Sequence, residues 1–275
     1  MFLTDKEFNE IRDMVYSRFG ISLGEHKKAL VFGRLRKFAI QKGFRTFSEL
    51  VDYVKNDNTG SSMQELIDRI STNHTFFFRE QQHFDFFKHK ILPELAEKLK
   101  EQRSSDIRIW CAAASTGEEP YSIMMTMLDY FGNSYVNYIA GLLATDISSK
   151  AIETAQRGVY STEQVGNIPE KMLKKYLHRI DEESWGINSN IKKEITFRRF
   201  NLMNEVFPFK KQFHVIFCRN VMIYFDMPTR NKLVKKLYAV TAPGGYLFVG
   251  HSESIRTPDC PYEYVQPAVF RKREF

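Results

Sequence analysis

The sequence predicts an α/β protein: a parallel sheet with helices on both faces, preceded by a small all-helical domain and carrying a small inserted subdomain. Three observations lead there. Apolar residues over the first seventy positions recur at helical spacing. From about residue 106, short apolar runs rich in β-formers alternate with helical segments, as in parallel strands joined by helical crossovers. Between Gly158 and Glu194 the alternation stops for longer than a simple connection needs. The expected divisions are residues 1–72, then residues 73–275 with an insert at about 160–195.

In chain order, Phe8, Ile11, Met14 and Val15 follow a Thr4-Asp5 cap and predict a first helix. Val31, Phe32, Leu35, Phe38 and Ala39 give a second helix its apolar stripe. A third starts at Thr46 or Ser48 and carries Leu50, Val51 and Val54. Residues 56–62, Asn-Asp-Asn-Thr-Gly-Ser-Ser, form a loop, and a fourth helix covers Met63–Ile70. Strands are predicted at Ile107–Ala113, Tyr138–Thr145, Ile195–Asn201, Phe213–Cys218 and Tyr246–Gly250. Helices at Pro120–Tyr130, Ser149–Arg157 and Pro228–Ala239 separate most of them. Tyr264–Arg271 is too close to the preceding strand for a helical crossover and is expected to return antiparallel to it. The insert holds a helix-like IPEKMLKKYL and a polar DEESWGINSNIKKE stretch.

Composition narrows the class. The 275 residues are 43% hydrophobic and 27% charged, which suits a folded rather than a disordered chain. No apolar run approaches the length of a membrane span, and the acidic start MFLTDKEFNE does not look like a signal peptide, so a cytoplasmic location is expected. Cys111, Cys218 and Cys260 are scattered, which argues against a disulfide framework or a structural zinc site. A formal net charge of +7 permits an acidic partner.

The first strand ends in Ala112-Ala113-Ala114-Ser115-Thr116-Gly117-Glu118-Glu119-Pro120. Small residues admit a ligand close to the backbone, and Gly117 permits a tight turn. The pattern is neither GxGxxG nor a P-loop, and Glu118 and Glu119 would repel a pyrophosphate but accept a cation, an ammonium or ribose hydroxyls. The turn alone also suits a purely structural strand–helix junction. Asp146 ends the second strand, where an acid can accept from both ribose hydroxyls or simply cap the next helix. Together, Gly117 and Asp146 suggest an adenosine ligand with a cationic end, which S-adenosylmethionine fits and NAD or ATP does not. Asn201, Leu202, Arg219, Asn220 and Tyr224 lie at further strand ends facing the same crevice.

The motifs STNHTFFFRE, AAASTGEEPYSI, ATDIS, CRNVMIYF, APGGYLFVGHSES and VQPAVFRK, in this order, resemble the CheR-type chemoreceptor glutamate O-methyltransferases. The resemblance runs through the whole chain. It implies a Rossmann-like class I methyltransferase sheet and transfer of a methyl group from S-adenosylmethionine to glutamates on chemoreceptor cytoplasmic helices. It further implies that Asn73, Thr75, Arg79, Gly117, Glu118 or Glu119, Asp146, Asn201, Leu202, Arg219 and Asn220 surround the cofactor. Arg79 and Tyr224 are then closest to the transferring methyl and are the expected catalytic residues.

Free glutamate is ionised near pH 7, so its carboxylate needs no general base. Charge disappears as anion meets sulfonium, so a closed, poorly hydrated pocket and aligned reactants help most. No metal is expected. His251, Ser252 and Glu253 resemble a hydrolase triad but are consecutive, which favours a strand-end turn. Base amino-methyltransferases usually carry an Asn/Asp-Pro-Pro-Tyr loop where this chain has Arg-Asn-Val-Met-Ile-Tyr, which weighs against a nucleic-acid partner. A cofactor-sensing scaffold without activity is a further alternative, opposed by the intact Arg79 and Tyr224.

Residues 26–48 contain Lys27, Lys28, Arg34, Arg36, Lys37, Lys42 and Arg45 but no Asp or Glu. With Arg34, Arg36 and Lys37 as substrate-binding residues, this face would attract an anionic receptor helix. His178–Ile191 has a single glycine, Gly186, where the family's tail-binding members carry a Gly-rich turn, so no C-terminal peptide tether is expected. The chain is expected to act as a monomer without inserting into the membrane.

Overall fold

The structure, a computed structural model, describes residues 1–255 and 260–274. Helix α1 (Asp5–Phe19) begins at Thr4, whose hydroxyl accepts from Glu7 N–H while the Glu7 carboxylate accepts from Thr4 N–H. It ends at Gly20, left-handed at φ 68°, where a Cβ would lie 2.5 Å from Met203 Sδ. The left-handed backbone favours glycine here, and its missing side chain leaves room for Met203 and Thr229. Helices α2 (Lys28–Gln41), α3 (Phe47–Asn56, capped by Thr46) and α4 (Ser61–Ile70) follow. Val31, Leu35, Phe38 and Ala39 of α2 join Phe8, Ile11, Leu50, Leu66 and Ile67 in one core, with Phe32 at its edge.

Helices α5 (Gln81–Phe86) and α6 (Leu92–Glu101) are joined without a break by a π-helical turn, Phe87–Ile91. The sheet then opens with β1 (Asp106–Cys111), α7 (Glu118–Phe131), β2 (Ile139–Asp146) and α8 (Ser149–Arg157). A separate small sheet comes next. Its strands are β3 (Val159–Ser161), β4 (Leu177–Arg179) and β5 (Ser184–Ile187), in the antiparallel order β3-β5-β4. Short helices α9 (Thr162–Val165), α10 (Glu170–Tyr176) and α11 (Ser189–Lys192) surround it.

The chain returns to the main sheet through β6 (Ile195–Arg199), β7 (Phe213–Phe217), α12 (Met227–Val240) and β8 (Thr241–Phe248). The strand order is β6-β2-β1-β7-β8-β10-β9, and the first five run parallel. The expected last strand is instead a hairpin, β9 (Glu263–Gln266) and β10 (Val269–Arg271), of which only β10 pairs antiparallel with β8. Ala268, at φ 62°, makes the turn between them. Strand β8 starts earlier than expected, at Thr241, which pairs with Phe213; the register then shifts, residues 242–245 have no partner on β7, and pairing resumes with Tyr246 opposite Val215.

Apolar clusters cover both faces of the sheet. One gathers Phe84, Phe87, Ile91, Tyr121 and Phe217. The other centres on Trp110, ringed by Phe200, Phe207, Phe209 and Phe213 with centroids 4.8–5.9 Å away. Since the chain winds from β1 towards β6 and then back to β7, the order reverses between β1 and β7. That is the crevice where open α/β sheets bind ligands.

Candidate active site

A cavity of about 250 Å³ opens at the carboxyl ends of β1, β2, β6 and β7. Its remaining wall is the segment from the end of α1 to the first turn of α2, through Phe19, Ile21, Leu23, Lys27 and Leu30. Two backbone contacts hold that segment in place. Ser22 N–H donates to the Tyr224 carbonyl at 2.8 Å, and Ile21 forms an antiparallel bridge with Phe225. The stretch from Ile70 to Thr75, between α4 and the Phe-rich motif, closes the rim.

Most of the residues singled out in the sequence meet here. Asn73, Thr75 and Arg79 line one side and Asn201 and Leu202 another. Glu119, Asp146, Arg219, Asn220 and Tyr224 complete the set. Others do not join them. Gly117 is buried in the turn at φ 105°, where a Cβ would sit 2.7 Å from the Tyr160 hydroxyl. Glu118 turns away, accepting from Thr116 Oγ1 at 2.7 Å and from Gln164 Nε2 at 3.5 Å, so of the adjacent pair it is Glu119 that reaches the cavity. Arg34 donates to the Ile70 carbonyl at the end of α4 and is half-buried there, while Arg36 and Lys37 stay exposed on α2 outside the cavity.

The polar walls are built around a buried hub. Arg219, 3% exposed, donates to Glu119 at 2.5 Å and to Glu80 at 3.0 Å, and also to the Arg79 carbonyl. Burial pushes the Glu119 carboxyl up, against the pull of Arg219. Burial raises Glu80 too, but there the charge and hydrogen bond of Arg219 outweigh it and hold the group below its ordinary value. Arg79 is therefore not paired with its neighbour Glu80. Its Nη1 donates to the His74 carbonyl at 2.9 Å, its guanidinium lies over the Phe76 ring, and it has no carboxylate partner among the described residues.

Asp146 accepts from Ser115 N–H at 2.8 Å and Ser148 N–H at 2.9 Å, so it fixes the turn after β1 as well as facing the cavity. Burial pushes its carboxyl up despite these bonds. Asn201 is similarly committed: its amide donates to the Arg18 carbonyl and accepts from Met203 N–H. Glu253, which sequence reasoning weighed only as part of a false triad, accepts from the N–H groups of Asn220, Met222 and Gly250 and so shapes the turn that carries Tyr224. Phe78, Glu80, Ser115 and Asn220 all hold left-handed backbone with φ between 48° and 60°. For non-glycine residues this is strain, concentrated where the hub and Glu253 can hold it.

Glu80, His83 and His251 bring possible metal-ligand atoms within 4.8 Å of one another, a cluster that the sequence analysis did not foresee. Its carboxylate already faces the Arg219 cation, and His83 is pushed down to about 3 by burial and by Arg219. Lys27, Ser71 and Ser115 also line the cavity unforeseen. The last two carry buried hydroxyls without a hydrogen-bond partner among the described residues, as expected of groups that face a polar ligand.

Comparison with known proteins decides the family. The "CheR methyltransferase, all-alpha domain" matches residues 6–71 and the "CheR methyltransferase, SAM binding domain" matches residues 73–269. The chain belongs to the CheR methyltransferase family. It is 43% identical to the chemotaxis protein methyltransferase of Borreliella burgdorferi over 98% of this chain and 95% of that one. It is 34% identical to the chemotaxis protein methyltransferase of Escherichia coli, over 92% of this chain and 85% of that one. The junction between the two CheR segments, at Ser71–Asn73, is itself cavity wall, so both segments build the site.

The cavity suits S-adenosylmethionine. Two carboxylates at adjacent strand ends, Glu119 and Asp146, can meet hydroxyls and an ammonium, and the orphaned hydroxyls of Ser71 and Ser115 add polar partners. Phe200, Leu202 and Ile147 offer apolar surface for a purine. No helix among the described residues is long and apolar enough to cross a membrane.

Proposed function

We propose that this S-adenosylmethionine-dependent methyltransferase esterifies glutamate side chains on the cytoplasmic helices of chemoreceptors. The observation that carries the reading is the cavity itself: anionic groups on the sheet side, and on the other side Arg79 and Tyr224, with no side-chain hydrogen bond to a carboxylate or hydroxyl among the described residues. When bound, the cofactor supplies a methyl on a positively charged sulfur. The protein's part is to orient the acceptor and exclude water, because a carboxylate acceptor needs no base. Tyr224 orients it, Arg79 beside it takes the carboxylate at the cofactor's amino-acid end, Asn73, Thr75, Glu119, Asp146, Leu202 and Asn220 hold the rest of the cofactor, and Arg219 fixes both walls. Burial raises the thiols of Cys111 and Cys218, so neither is a nucleophile at neutral pH.

In this reading residues 1–72 recognise substrate and residues 73–275, with the insert at about 160–195, carry the chemistry. Lys27 and Leu30 line the cavity, and Arg34 and Lys37 follow at i+7 and i+10, so the exposed Lys37 lies on the helix face that begins at the cavity. The enzyme works as a cytoplasmic monomer, without metal and without a receptor tail tether; the short turn between β4 and β5 supports the last point. Tritiated S-adenosylmethionine and membranes bearing candidate receptors test the reading. Alkali-labile label on the receptor is expected; alkali-stable label, or label on nucleic acid, would overturn it.

A further inference from the structure

Three cationic side chains line the cavity: Arg79, Arg219 and Lys27. Arg219 is neutralised by Glu80 and Glu119 and is sealed from solvent. Arg79 and Lys27 have no carboxylate partner among the described residues. The proposed reaction brings two carboxylates to this place, one on the cofactor's amino-acid end and one on the acceptor glutamate. Two uncommitted cations therefore face two incoming anions.

Their positions divide the work. Arg79 is attached to the buried hub, since its own carbonyl accepts from Arg219. Lys27 comes from the opposite wall, at the start of α2, with its ammonium 5.5 Å from the centre of the Tyr224 ring. The segment that carries it is fixed by the Ser22–Tyr224 hydrogen bond and the Ile21–Phe225 bridge, so the two backbones that present ammonium and phenol are joined. Leu30, one turn on, also lines the cavity and is exposed, which places Lys27 on the side open to a macromolecule.

We infer that Lys27 receives the carboxylate of the acceptor glutamate beside Tyr224 and selects it against glutamine and against the methyl ester. The inference rests on the receptor-glutamate reading above and names a specificity residue within it. A single ammonium can hold one carboxylate oxygen and leave the other free to attack, whereas a bidentate guanidinium engages both. Esterification removes the charge that Lys27 holds, so product leaves the site without an ionic partner.

The test uses the full chain with Lys27→Met and Lys27→Arg. Lys27→Met should raise the KM for receptor about tenfold, the loss of one charge-assisted contact. S-adenosylhomocysteine affinity by calorimetry and the melting temperature should stay at wild-type values, and Lys27→Arg should restore the KM while lowering kcat, since its guanidinium engages both oxygens. In competition, receptor with glutamate at the methylation sites should inhibit the wild type more than receptor with glutamine, and Lys27→Met should not distinguish them. Unchanged KM with retained discrimination overturns the assignment. So does a fall in S-adenosylhomocysteine affinity with KM unmoved, which would place Lys27 on the cofactor. A wild type that forms no alkali-labile label in the same assay defeats the receptor-glutamate reading itself, a result separable from an active wild type with an indifferent Lys27→Met.

Discussion

Arg219 Nη1 donates to Glu119 Oε2 at 2.5 Å, joining the end of β7 to the first turn of α7 across the crevice where strand order reverses. With Glu80 on the same guanidinium, removing the arginine strands two carboxylates in a largely dry place. Arg219→Ala is therefore expected to destabilise the fold by about 3–5 kcal/mol, the cost of breaking a buried pair. Denaturant unfolding measures it, and a loss below about 1 kcal/mol, the size of an exposed pair, would contradict the hub.

Asp146 faces the cavity with one oxygen bonded to Ser115 N–H and the other to Ser148 N–H. Asp146→Asn should weaken S-adenosylhomocysteine binding by about 1–3 kcal/mol, as for loss of hydrogen bonds to a charged acceptor. Calorimetry with unchanged affinity would remove Asp146 from the cofactor's partners.

The Tyr224 hydroxyl makes no hydrogen bond to the described residues, so removing it should leave stability intact. Tyr224→Phe is expected to lower kcat about tenfold or more while cofactor affinity holds, matching loss of a bond of about 1.5–3 kcal/mol to a charged group. Full turnover in this variant would end its catalytic assignment.

On α2 the structure separates two roles that composition merges. Arg36→Glu with Lys37→Glu should raise the KM for receptor, most at low ionic strength, with no change in melting temperature, since both are exposed. Arg34→Ala should instead lower the melting temperature, because its guanidinium caps the Ile70 carbonyl. Salt-independent receptor kinetics in the wild type would remove this face from recognition.

His83 is almost fully enclosed, and burial with Arg219 pushes it down to about 3. The unfolded chain takes up its proton near pH 6.5 and the folded chain does not, so this residue makes stability fall as pH drops from about 6.5 towards 3. Its contribution to the slope is at most about 1.4 kcal/mol per pH unit. His83→Leu should flatten the wild-type decline over that range, followed by urea unfolding at several pH values. Parallel curves would mean that His83 is protonated in the fold.

Strand ends were legible because an apolar run that stops at Gly117, Asp146 or Arg219 marks where the sheet meets solvent, and parallel topology gathers those ends. The Lys27 wall was not, because it depends on Ser22 meeting Tyr224, a contact across most of the chain that no local pattern encodes. Helix α5–α6 escaped for a different reason. It starts at Glu80 with left-handed backbone instead of a side-chain cap, and the π turn at Phe87–Ile91 shifts its apolar stripe out of a 3.6-residue repeat. The β9–β10 hairpin turns on Ala268, a residue type that gives no turn signal. For Glu118 and Glu119, adjacent and chemically identical, only the direction of each side chain on α7 could choose, and Arg219 supplies the reason.

The meeting of Ile21 and Ser22 with Tyr224 and Phe225 also bears on how such proteins are inherited. Residues 6–71 and 73–269 match as separate units, yet the joint between them is not a neutral hinge: each unit supplies part of one binding wall. A graft that takes the helical unit from one relative and the sheet unit from another would join two half-sites that never adapted to each other. The unit of exchange is therefore the pair, and a drifting residue at the end of α1 changes the chemistry performed two hundred positions away.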